Sequence, residues 1–172
     1  KDLKDVVESG KVQFRGGTPQ FLDFLHNHNI PLIIFSSSGL GTDSIEMYLE
    51  KEGRLYSIIH IISNAYEWDK SGRAISVRQP IIHSMNKDET SVQDHPEIFK
   101  IIKDKTNVLL LGDGIGDIEM IKGFSYNHLI KIAFLNKKTE ELLNQYKKVY
   151  DVIILNDSSM IYVNELLKEI IK

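Results

Sequence analysis

Val108-Leu109-Leu110-Leu111-Gly112-Asp113-Gly114-Ile115-Gly116-Asp117 is the stretch around which the chain is organised. An unbroken apolar run stops at a glycine and an aspartate, and so reads as a short strand buried on both faces. Gly112, Gly114 and Gly116 are expected to let the backbone turn tightly, and a helix is expected to begin over residues 117–120. In an open parallel α/β sheet, ligands bind outside the carboxyl ends of the strands. Asp113 therefore stands where a metal or a phosphate would bind. Asp117, four residues on and about one helical turn away, can look back at the same point.

Two other readings compete. Gly-Asp-Gly is common turn chemistry, and an acidic residue caps a helix start well. Gly112-Asp113-Gly114-Ile115-Gly116 also looks like the start of a dinucleotide-binding loop. That reading fails on detail. The third glycine comes one residue early, Asp113 would repel a pyrophosphate, and no strand ending in an acidic residue follows about twenty residues later.

The 172 residues suffice for one domain with a sizeable core. Hydrophobic residues make up 42% and charged residues 26%, an ordinary balance for a globular protein. The net charge of −3 argues against nucleic acid polymers or an anionic membrane as partners. The sequence has no cysteine, which excludes disulfides, thiolate catalysis and zinc–sulfur sites and fits a reducing compartment. No apolar run reaches membrane-spanning length. A chain that starts with Lys1 rather than Met points to a fragment or a processed product.

Outward from the central strand, apolar runs alternate with helical patterns. Residues 1–8 have helical spacing. Thr18 is the expected N-cap of a helix with Pro19 at its first position, ending near His26 and His28, which read as solvated residues. Residues 30–35 form a second doubly buried strand that runs into Ser36-Ser37-Ser38-Gly39-Leu40-Gly41-Thr42. Hydroxyls, glycines and a following helix N-terminus make this a phosphate-binding corner, with a plain serine-rich loop as the alternative. Thr42 or Asp43 is the expected cap of that helix. Residues 57–62 form another strand, and residues 66–75 a hairpin around Asp69-Lys70-Ser71-Gly72 in which Trp68 serves packing. Lys87 lies in an Asn-Lys-Asp-Glu turn. A helix opens at His95-Pro96, and strands at residues 129–135 and 152–155 alternate with helices over residues 137–147 and 158–171. The pattern predicts a doubly wound, mainly parallel Rossmann-like α/β sheet with a small β-hairpin insertion.

A strand ending in Ser36, a loop lysine at Lys87 and a strand ending in Gly112-Asp113 with Asp117 beyond it fall in one order. That order resembles motifs two, three and four of the haloacid dehalogenase superfamily of phosphatases. Ile62-Ser63-Asn64, the hairpin, His83-Ser84-Met85-Asn86-Lys87 and the 108–117 stretch are more closely similar to the eukaryotic pyrimidine 5′-nucleotidase family, also called cytosolic 5′-nucleotidase III. The likeness covers nearly the whole chain, as one phosphatase core domain over residues 1–172 with residues 1–14 as the remnant of a helical cap.

The resemblance implies magnesium-dependent hydrolysis of a nucleoside 5′-monophosphate, UMP or CMP by preference, through an aspartyl-phosphate in the cytoplasm. Ser36, with Ser37 as the alternative, is then a phosphoryl ligand. Lys87 neutralises phosphoryl charge. Asp113 ligates Mg²⁺, and Asp117 orients Lys87 or holds a metal-bound water. Asn64 borders the site. Preorganised donors of this kind supply most of the rate in phosphoryl transfer, and a hard cation calls for oxygen ligands. The sequence departs from the family in one respect: it contains no Asp-x-Asp, the motif that carries the nucleophile and the general acid/base. The chain alone is therefore expected to be inactive. The gap left between the 30–35 and 108–111 strands is expected to close by direct pairing, or to be filled by another segment or by self-association. A non-catalytic binding or assembly module and a phosphatase of other small phosphomonoesters are the alternatives.

Overall fold

The computed structural model describes residues 2–79, 81–83, 95–122, 124–137 and 139–171. Lys87 and its turn lie outside the described residues. The chain divides into two compact units, residues 1–83 with 160–172, and residues 84–159.

In the first unit, α1 (Asp2–Glu8) and α2 (Thr18–Asn27) precede β1 (Leu32–Ser36). Then follow α3 (Gly41–Lys51), β2 (Ile59–Ser63) and the strands β3 (Tyr66–Trp68) and β4 (Ala74–Val77). β1 and β2 run parallel, with Leu32 opposite Ile59 and Ser36 opposite Ser63. β3 and β4 form the expected antiparallel hairpin. In α2 the apolar residues fall on one face, so Phe21, Leu22 and Leu25 are buried together. The helix starts at Thr18 rather than after it, and Gly17 holds the N-cap place. The reason lies in the preceding backbone. Gly16 O accepts the Met160 N–H at 2.7 Å and Gly17 O accepts Asn164 Nδ2 at 3.0 Å, so the chain is already anchored there. Both partners belong to the C-terminal helix region, whose helix we label α6 (Ile161–Ile170). His26 and His28 are exposed, as expected.

The second unit holds α4 (Pro96–Ile102), β5 (Asn107–Gly112), a 3₁₀ helix (Ile115–Ile121), β6 (His128–Leu135), α5 (Thr139–Tyr146) and β7 (Val152–Leu155). Its three strands are parallel in the order β5-β6-β7. Ala133 and Leu135 of β6 pack with Tyr146 and Tyr150, and Ile118, Leu142 and Ile153 close over them. β6 has a neighbour on each side, and its last four residues are buried throughout.

β1 and β5 differ from expectation. Both read as doubly buried strands, yet every residue of β1 is half-buried and only Leu110 of β5 is buried. Each is paired on one side only among the described residues. A strand with one neighbour leaves one row of its backbone groups and the flank of its side chains uncovered.

A polar cluster ties α2 to the turn before β2. Asp23 accepts Arg54 Nε and Arg54 Nη2, each at 3.0 Å, and the Tyr56 hydroxyl at 2.7 Å. The Arg54 hydrogen bond is the main cause that holds the Asp23 carboxyl below the ordinary carboxylate value, against a smaller opposing effect of desolvation. A carboxylate lowered in this way adds stability above its unfolded pKa, and that stability is lost as pH falls through the folded value. In urea unfolding followed from about pH 6 to about pH 3, the chain should lose a stability increment that Asp23→Asn lacks. Parallel pH profiles for the two proteins would show that the cluster contributes nothing.

Candidate active site

The loop after β5 is built around one carboxylate. Asp117 is buried, and its Oδ2 accepts the N–H groups of Asp113 and Gly114, each at 2.9 Å. In return the Asp117 N–H donates to Gly114 O at 3.2 Å. These three-residue closures favour a 3₁₀ helix over Ile115–Ile121 where an α-helix was expected. Two tyrosines hold the same loop by its carbonyls. The Tyr146 hydroxyl donates to Asp113 O at 2.7 Å and the Tyr150 hydroxyl to Gly114 O at 2.5 Å. Their rings stack with centroids 5.7 Å apart.

The glycine pattern has a different cause from tight turning. None of Gly112, Gly114 or Gly116 has a positive φ. Gly112 is required by space: a Cβ there would stand 2.7 Å from Asp117 Cβ and 2.8 Å from both Asp117 Oδ2 and the Tyr150 hydroxyl. The Asp113 side chain projects from this fixed backbone. It is exposed and makes no hydrogen bond or ion pair to another described residue.

Burial is the main cause that raises both tyrosine hydroxyls above the ordinary phenol value, with the Asp113 and Asp117 charges adding to it. They stay protonated and keep donating at neutral pH.

The corner after β1 is built from Ser36 onward. Ser36 Oγ accepts the Ser38 N–H at 3.1 Å, which turns the chain back at once. The Gly41 N–H closes on Ser38 O at 3.2 Å. Gly41 has φ +74°, and a Cβ there would meet Asn64 O at 2.7 Å, so this position admits only glycine without strain. Neither Thr42 nor Asp43 caps α3, whose N-cap is Leu40. Their side chains are committed elsewhere. Thr42 Oγ1 lies 3.4 Å from Ser63 O and 3.3 Å from Asn64 O, and Asp43 Oδ2 accepts the Trp68 indole N–H at 2.8 Å. Trp68 is partly exposed, its ring lies against that of Tyr66 with centroids 5.6 Å apart, and its indole N–H is tied to Asp43. The Tyr66 hydroxyl donates to Gly39 O.

Ser36, Ser37 and Asn64 thus belong to one corner in the first unit, and Asp113 and Asp117 to one loop in the second. Sequence reasoning missed Tyr146 and Tyr150, which sit thirty or more residues downstream in an ordinary amphipathic pattern. Opposite Ser36, the Ser63 hydroxyl is buried and has no hydrogen-bond partner among the described residues.

Asp113 suits a hard cation as one oxygen ligand. Among the described residues, however, no group of three His, Asp or Glu side chains is placed to hold a metal, and one oxygen of Asp117 is engaged by backbone. The described residues do not by themselves complete a magnesium site.

Tyr150→Phe leaves the Gly114 carbonyl without its donor and should cost about 1–3 kcal/mol in urea unfolding. Gly112→Ala should cost a similar amount or more, about 1–3 kcal/mol, through overpacking against Asp117. A loss under about 0.5 kcal/mol in both would show that the loop does not depend on these contacts.

Comparison with known proteins agrees along the chain. Residues 1–171 match the family described as Pyrimidine 5′-nucleotidase (UMPH-1). The chain is 36% identical over 167 residues to 7-methylguanosine phosphate-specific 5′-nucleotidase A of Xenopus laevis, covering 96% of this chain and 57% of that protein. It is 35% identical over 170 residues to the Homo sapiens 7-methylguanosine phosphate-specific 5′-nucleotidase, covering 98% and 56%. Among solved structures, cytosolic 5′-nucleotidase IIIB bound to cytidine superposes with a TM-score of 0.79 at 26% identity, over 90% of this chain and 51% of that one. A phosphoserine phosphohydrolase-like protein from Francisella tularensis shares the fold at a TM-score of 0.60 and 15% identity, over 99% of this chain and 69% of that one. The chain spans about half the length of the 5′-nucleotidases it matches. The α/β architecture is that of the haloacid dehalogenase-type phosphatases, and the chain belongs to the pyrimidine 5′-nucleotidase family.

Proposed function

We propose that this chain is the phosphatase core of a 5′-nucleotidase that hydrolyses a nucleoside 5′-monophosphate to nucleoside and phosphate. The observation that carries the reading is the 112–117 loop: an exposed carboxylate, Asp113, stands at the end of a parallel strand on a backbone held by Asp117 and two tyrosines. No other described residue pairs with this carboxylate, and its exposed position suits a cationic partner.

In this reading Asp113 offers an oxygen to Mg²⁺, which would neutralise charge on the phosphoryl group. Asp117 keeps Asp113 in place by fixing its backbone. Ser36, or Ser37 beside it, donates a hydroxyl proton to a phosphoryl oxygen. Lys87 supplies a positive charge to that group. The nucleophile that forms the aspartyl-phosphate is an aspartate outside these 172 residues, because the sequence holds no Asp-x-Asp. The 172 residues alone are then inactive. For the base, the family description points to a pyrimidine, of which UMP and CMP are the substrates proposed, and the names of the relatives to 7-methylguanosine phosphate. A cytosolic location follows the naming of relatives such as the putative cytosolic 5′-nucleotidase 3 of Caenorhabditis elegans.

The missing Asp-x-Asp favours one second reading, a non-catalytic relative that binds a phosphorylated ligand or assembles with another chain at the uncovered strands.

Phosphate release from UMP, CMP, 7-methyl-GMP and AMP decides between them, measured with Mg²⁺ and with EDTA. Both these 172 residues and a form extended to the length of the relatives are needed. The extended form should release phosphate only with Mg²⁺. Asp113→Asn or Lys87→Ala should cut that rate by about a hundredfold or more, and the 172 residues alone should be silent. Activity of the short form would place the nucleophile inside this sequence. Silence of both forms would favour the binding module.

A further inference from the structure

Asn64 stands at the end of β2 and is buried. Its side chain makes a two-point clasp on one residue: the Ile82 N–H donates to Asn64 Oδ1 at 2.8 Å, and Asn64 Nδ2 donates to Ile82 O at 3.0 Å. The same Nδ2 lies 3.5 Å from Ser38 O, inside the corner. The main-chain carbonyl of Asn64 accepts the Thr42 N–H at 2.8 Å, at the corner's far end. Gly41 packs its Cα against that carbonyl so closely that no Cβ fits between them.

Asn64 therefore touches the 36–42 corner at Ser38, Gly41 and Thr42 while its amide is locked by Ile82. A carboxamide is the side chain that can do this. It presents one acceptor to the Ile82 N–H and one donor to two carbonyls, and all three partners are backbone groups with fixed direction. Buried and fully paired, it resists rotation, because turning it would leave donor facing donor and acceptor facing acceptor. The corner it holds is formed mostly by residues with small or no side chains, Ser36-Ser37-Ser38-Gly39, which have little packing of their own.

We propose that Asn64 is a positioning residue for phosphate. It sets the Ser36–Thr42 corner in the shape that receives the phosphoryl group, and it does so without touching the substrate. This rests on the reading of that corner as the phosphoryl-binding element. A phosphate site made from backbone N–H groups and short hydroxyls depends on the direction of those donors, so a small relaxation of the corner weakens phosphate more than it weakens the fold.

The test uses the extended, active protein with inorganic phosphate as the probe. Asn64→Asp keeps the size and the acceptor toward Ile82 N and replaces the donor with an oxygen facing two carbonyls. Asn64→Ala removes the clasp and keeps the main-chain carbonyl, so it carries the same test if the aspartate variant does not fold. Ile62→Ala, in the fully buried residue two places earlier, serves as the stability control. Both Asn64 variants should raise the inhibition constant of inorganic phosphate, and KM for the nucleotide with it, by about tenfold, the equivalent of about 1.4 kcal/mol of lost pairing. Ile62→Ala should lower the unfolding midpoint at least as far and leave the phosphate constant within about twofold of wild type. An unchanged phosphate constant in the Asn64 variants beside a lowered midpoint would overturn the positioning role and leave the nucleotidase reading standing. A wild-type protein that neither hydrolyses nucleotides nor is protected by phosphate would overturn that reading and this role with it.

Discussion

A single carboxylate oxygen, Oδ2 of Asp117, organises the loop on which the second unit turns. Burying a carboxylate is costly unless its lone pairs are used. Here the Asp113 and Gly114 N–H groups use them at 2.9 Å. The consequences spread outward. The carboxylate needs room against the strand, and that room is the missing side chain of Gly112. The loop's carbonyls, turned the other way, need donors of their own, and Tyr146 and Tyr150 provide them from the end of α5 and beyond. With its N–H and C=O groups assigned, the loop has little freedom left. The Asp113 side chain is carried on it like a fixed projection.

The corner after β1 reaches a similar rigidity by other means. It has no buried carboxylate. A carboxamide, a glycine with positive φ and the Tyr66 hydroxyl hold it instead, all through backbone groups. A neutral clamp fits the phosphoryl-binding role proposed for this corner, since a carboxylate there would repel an anion. The exposed carboxylate of the Asp113 loop fits the cation proposed for it.

The alternation of apolar runs with helical patterns was legible because each run is short and bounded by turn residues. β7, over Val152–Leu155, appears at its expected bounds. The positions of Ser36 at the end of β1 and Asp113 just after β5 were legible because an apolar run that stops at turn residues marks a strand end. What stayed hidden was long-range. Nothing local marks Tyr146 and Tyr150 as partners of a loop more than thirty residues away. Nothing local shows that Thr42 and Asp43 turn to β2 and to Trp68 rather than to the start of α3. Burial of β1 and β5 was overestimated because an apolar run does not say how many neighbours a strand has, and among the described residues each is paired on one side only. The glycines after β5 were placed correctly for the wrong reason: the pattern signals close approach as readily as it signals turning.

The hydrogen bond from Trp68 to Asp43 has an optical consequence. Trp68 is the sole tryptophan of the chain, and its indole N–H is tied to the first turn of α3 while its ring stands partly in solvent. Indole emission responds to the polarity and charge around the ring nitrogen. The chain thus carries one native indole fluorophore, wired to the helix that follows the serine corner, and its emission, excited selectively beyond the tyrosine band, monitors that end of the first unit without any added label.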